Sequence, residues 1–165
     1  MSDTMKEMEV KIPPRDMTLR EFLDTHIAAI RLTFAAQGTI APMFFGEDAS
    51  GQCTVLLAAF ENDAEKDAAA ARVRVAFRDK NVIRYVFCSE AWALVVPSKT
   101  SPIPRPSRHP DRIEVVIVEA EDKSGKNLSA HMPIERKGET VTLGKPEYFG
   151  DVSSGRFVGL LQTMQ

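Results

Sequence analysis

The chain has 165 residues, 44% hydrophobic and 27% charged, with 21 basic and 23 acidic side chains and a formal charge of -2. That length suits one domain, and the composition excludes an intrinsically disordered chain. A balance so close to neutral gives no pointer to nucleic acid, and no apolar run is long enough to span a bilayer.

Residues 1–17 read as an N-terminal tail and 18–165 as a single α+β domain. The tail mixes Asp3, Lys6, Glu7, Glu9 and Lys11 with no hydrophobic segment, so it does not read as a secretory signal. A cytoplasmic location is expected. Cys53 and Cys88 each fall in an apolar run, QCTVLLAAF and VIRYVFC, and are expected to be buried free thiols.

A helix is predicted over 18–36. Thr18 caps it, Glu21 completes a capping box, and Leu19, Phe22, Leu23, Ile27, Ile30 and Phe34 form an apolar stripe. Gly38 ends it. Strands follow at 40–45 and 53–60, with Asp48, Ser50 and Gly51 turning between them. Pro42 suggests an edge or a bulge for the first of these.

A second helix is predicted over 63–78. Asn62 and Glu65 offer a capping box, the alanines favour the helix, and Val73 and Phe77 continue an apolar face. VIRYVFC and AWALVV then read as one bent strand or two tightly joined strands. RIEVVIVEAED, 112–122, is the strongest strand signal, with Arg112, Glu114 and Glu119 as its exposed polar positions. Lys123, Ser124 and Gly125 turn it into a strand over 127–136, where Pro133 argues for an edge. TVTL is a short strand, and 156–164 is read as β. The expected order is α–β–β–α–β–β–β–β, a mostly antiparallel sheet with both helices packed on one face. Missing β–α–β repeats exclude a Rossmann domain.

The segment 97–112, PSKTSPIPRPSRHPDR, carries five prolines and reads as a stiff exposed connection. Arg105, Arg108 and Arg112 suit an anionic ligand, because each guanidinium offers paired donors. His109 can exchange protons and Asp111 can orient it. With Glu90 of the SEAW phrase as a general base, these three form the candidate catalytic set of a small hydrolase or an anionic-ligand-binding enzyme. Ser89 lacks a GxSxG context. Trp92, Tyr148 and Phe149 are the candidate interface residues.

The three histidines show no HExxH spacing and have no companion cysteine pairs, so no metal site is expected. The glycines form no phosphate-binding signature, and no cofactor is expected. The preferred function is therefore a noncatalytic protein-interaction or regulatory module, with a second copy or another protein as partner.

Overall fold

The computed structural model describes residues 17–93, 112–150, 157 and 159–161. These form two helices and one seven-stranded antiparallel sheet. In chain order they are α1 (Leu19–Gln37), β1 (Met43–Asp48), β2 (Cys53–Leu57), α2 (Asp63–Asp79), β3 (Val82–Ala93), β4 (Ile113–Asp122), β5 (Asn127–Lys137), β6 (Thr140–Leu143) and β7 (Glu147–Gly150). Across the sheet the order is β2–β1–β3–β4–β5, and β6 and β7 share the far side of β5.

Local chemistry explains both helices. The Thr18 hydroxyl accepts from the Glu21 amide at 3.1 Å, and the Glu21 carboxylate accepts from the Thr18 amide at 3.4 Å. At the other end the Gly38 amide donates to Phe34 O at 2.7 Å. In α2, Asn62 accepts from the Glu65 amide, but the Glu65 carboxylate takes its return bond from Glu61 rather than from Asn62. Asn81 leaves α2 at φ +54°, a conformation that asparagine tolerates better than most residues.

One turn design is used twice. Asp48 Oδ1 accepts from the amides of Ser50 and Gln52, and Asp122 Oδ1 accepts from those of Ser124 and Lys126. Gly51 and Gly125 follow at φ +86° and +88°. DASGQ and DKSGK thus build the same three-residue loop, and its last position needs glycine.

The helices cover opposite faces of the sheet, whereas the sequence pattern predicts both on one face. Strand side chains alternate, so neighbouring residues of β3 divide between two cores. Val86 and Cys88 pack with Leu19, Phe22, Leu23, Ile27, Ile30 and Phe34 of α1. Tyr85 and Phe87 pack with Ala69, Ala70, Val73 and Phe77 of α2. Gly46 of β1 leaves room for the Phe77 ring of α2: a Cβ there would lie 2.8 Å from that ring and 2.9 Å from Val82. Met17 packs against the α1 core.

Of the two forms expected for the run after α2, the chain takes the single strand, Val82–Ala93. Other local expectations change. Pro42 lies just before β1, which is interior, and its carbonyl accepts from the Ala58 amide. Pro133 is also interior, between β4 and the β6–β7 side. A proline there lacks the ladder donor, and the chain opposite breaks between β6 and β7. The Gly144 amide still donates to Pro133 O at 2.8 Å. The Gly144 carbonyl, facing no N–H from proline, accepts instead from the Arg31 guanidinium of α1 at 2.8 Å. Near the C-terminus, Phe157 and Gly159–Leu161 lie in turns and bends rather than in the strand expected over 156–164.

Candidate functional site

Of the three candidate catalytic residues, only Glu90 is among the described residues; His109 and Asp111 lie outside them, as do Arg105 and Arg108. Glu90 sits on the α1 face of β3. Its Oε1 accepts from Thr39 Oγ1 at 3.1 Å and from the Ile40 amide at 3.3 Å. The carboxylate therefore fastens the connection from α1 to β1. Ser89 points to the other face, and its hydroxyl donates to the Glu90 carbonyl at 3.0 Å. Neither geometry forms a nucleophile–base pair.

Arg112 places its guanidinium 4.4 Å from the centre of the Trp92 ring, a cation–π arrangement. Trp92 is exposed at the end of β3. The other two interface candidates diverge from each other. Tyr148 lies on the α1 face, donates to Asp24 at 2.6 Å and lies under the Arg20 guanidinium. Phe149 lies on the opposite face, exposed, with its ring 4.6 Å from that of His131. The three aromatics do not converge on one patch.

A polar site absent from the sequence reading lies on the α2 face of β4. Glu119 has the same strand parity as Val115 and Ile117, so it faces inward with them and is half-buried rather than exposed. Glu121 is only 3% exposed and accepts from the Gly159 amide at 3.0 Å. Arg74 of α2 donates to the Gly159 carbonyl at 2.9 Å, and Tyr85 donates to the Phe157 carbonyl at 2.7 Å. Together these groups fasten the C-terminal turn over the α2 core. The cavity beside them is about 10 Å³, lined by Tyr85, Glu119, Glu121, Asn127 and Phe157. That is the lower limit for one water and too small for a substrate.

Burial, together with the charge of Glu121, raises the Glu119 carboxyl above its ordinary value of 4.5. Burial likewise raises Glu121, against the Gly159 hydrogen bond. An acid raised in the folded state binds more protons there than when unfolded. Stability is then greatest below the unfolded value and falls as pH rises toward the folded one. Glu119→Gln is expected to flatten the fall in stability above about pH 4.5. Urea midpoints measured from pH 4 to 8 check this; identical slopes in the two proteins would refute it.

The cysteines differ from each other. Cys88 is fully buried, and burial pushes its thiol up to about 12, which leaves it inert. Cys53 is exposed, contrary to expectation, because it begins strand β2 at the sheet edge.

That edge has a distinct geometry. The Ala58 amide bonds Pro42 O and the Asp48 amide bonds Gln52 O, so residues 52 and 58 turn their backbone groups toward β1. The antiparallel ladder repeats every two residues, so Thr54 and Leu56 do the same. Cys53, Val55 and Leu57 therefore direct their N–H and C=O groups outward. Their side chains share the α1 face, with Val55 42% exposed and Leu57 67% exposed. Residues 51–60 contain no charge and no proline. The opposite edge is different: Gly144, Lys145 and Pro146 divide it into two four-residue strands. Charge, proline and shortness are common ways of guarding an edge, and β2 carries neither of the first two.

No protein-family model, curated protein or solved structure matches this chain. No described helix is long and apolar enough to cross a membrane.

Proposed function

We propose that this protein is a noncatalytic, cytoplasmic interaction module that binds an extended protein segment along β2. The observation that carries this is the outward row of Cys53, Val55 and Leu57, which offers backbone donors and acceptors beside exposed apolar side chains. An added strand would satisfy those backbone groups, and its alternate side chains would rest on Val55 and Leu57. The small cavity at Glu119 and the engagement of Glu90 favour binding over catalysis.

Val55→Pro removes only an outward donor, so it spares the ladder to β1. A labelled peptide of alternating valine and threonine should bind the wild-type chain saturably. It should not bind the Val55→Pro variant, and a backbone N-methylated peptide should not bind the wild type. Equal binding to both proteins, or to neither, would contradict the proposal.

A further inference from the structure

We infer that the strand accepted by β2 is β2 of a second copy, antiparallel, with Val55 on the two-fold axis. This inference rests on the interaction function proposed above and names its partner. The outward residues number three and are centred on Val55. Pairing the strand with itself about that residue sets Cys53 opposite the partner's Leu57 and Val55 opposite the partner's Val55. Each such pair exchanges two backbone hydrogen bonds, and all three pairs are of the bonded type. Such a contact is isologous and closes on itself, leaving no open end for a third copy.

Charge supports the same partner. In this register residues 51–59 meet only residues 51–59, and none is charged. Like charges placed directly opposite are what a self-paired strand must avoid. The exposed side chains are also mutually compatible: valine meets valine, and leucine meets a thiol that behaves as a small apolar group. The two sheets would join into one continuous sheet. A strand of five residues gives a small contact, below the roughly 1,200–2,000 Å² of a standard stable interface, so the dimer should dissociate on dilution.

The register has a direct test. Bonded antiparallel pairs have Cα atoms about 5.5 Å apart, within the range a disulfide spans. Leu57→Cys therefore sets a new thiol opposite Cys53 of the partner, twice per dimer. Mild oxidation of the full-length Leu57→Cys protein should give a covalent dimer, whereas the wild type, with Cys53 facing leucine, should stay uncrosslinked. Sedimentation of the reduced wild type should show a monomer–dimer equilibrium that shifts with concentration. Val55→Pro and Val55→Lys should both be monomers with unchanged circular dichroism. Equal crosslinking of the wild type and Leu57→Cys would overturn the register. A wild type monomeric at every concentration would overturn the inference. If that monomer still binds the valine–threonine peptide in a Val55-dependent way, the binding function survives; if it does not, both fail. A monomer whose Cys53, Val55 and Leu57 amides are protected from exchange would give the edge to another part of the same chain, and would also overturn the inference.

Discussion

Arg84→Met should cost about 3–5 kcal/mol of folding stability, because it leaves Glu47 enclosed without its counter-charge. Both side chains are largely shielded, and the guanidinium donates to Glu47 Oε1 from two nitrogens, one of them at 2.9 Å. Arg84 also donates to the Met17 carbonyl at 2.9 Å and stacks over the Phe22 ring at 4.5 Å. It thus ties three places together: the start of α1, strand β1 and strand β3. Adding Glu47→Leu to the variant should restore most of the loss, since an apolar pair of similar volume leaves no buried charge. Urea denaturation of the single and double variants measures this. A single variant within about 1 kcal/mol of the wild type would place the pair in effective contact with water.

Phe44→Ala should cost a similar amount, about 3–5 kcal/mol, and lower the thermal midpoint by roughly 6–20 °C. Phe44 is fully buried on the α2 face of β1. Its ring lies 4.7 Å from Phe87, 5.2 Å from Phe157 and 6.3 Å from Phe77. These neighbours come from β3, from the C-terminal turn and from α2, so the hole has rigid walls on several sides. Partial collapse is then difficult, and the cavity term adds to the transfer term. Calorimetry checks the shift. A midpoint within about 2 °C of the wild type would show that Phe157 or Phe77 moves in to refill the space.

Much of the architecture was legible because it was written locally. The stripe from Leu19 to Phe34, the Thr18–Glu21 box and the Asp–Ser–Gly turns each fix a short piece of chain by rules that need no distant partner. What failed was long-range. Which face each helix covers depends on packing that no local window contains. One clue was present all the same. VIRYVFC has apolar residues at both parities, and Tyr85, Val86, Phe87 and Cys88 are all buried. A strand without a polar side belongs to a sheet covered on both faces.

The site residues divide in the same way. Glu90 and Trp92 stood out as polar and aromatic breaks in a β-rich run, yet their partners Thr39, Ile40 and Arg112 are far from them in sequence. Glu119 was misplaced by its charge, although strict alternation from Val115 already assigned it inward. The open edge was hidden for the opposite reason. QCTVLLAAF reads as a buried strand because nothing charged interrupts it, and only the strand order shows that, among the described residues, β2 has a neighbour on one side alone. Its missing guards were visible from the start, but their meaning depends on its position.

Residue-resolved amide exchange distinguishes an open outward backbone of β2 from a covered one. In dilute wild-type protein the amides of Cys53, Val55 and Leu57 should exchange fast, while those of Thr54 and Leu56, bonded to β1, should exchange slowly. Raising the concentration should slow the outward three. Uniform protection of all five at every dilution would contradict the account, as would uniformly fast exchange.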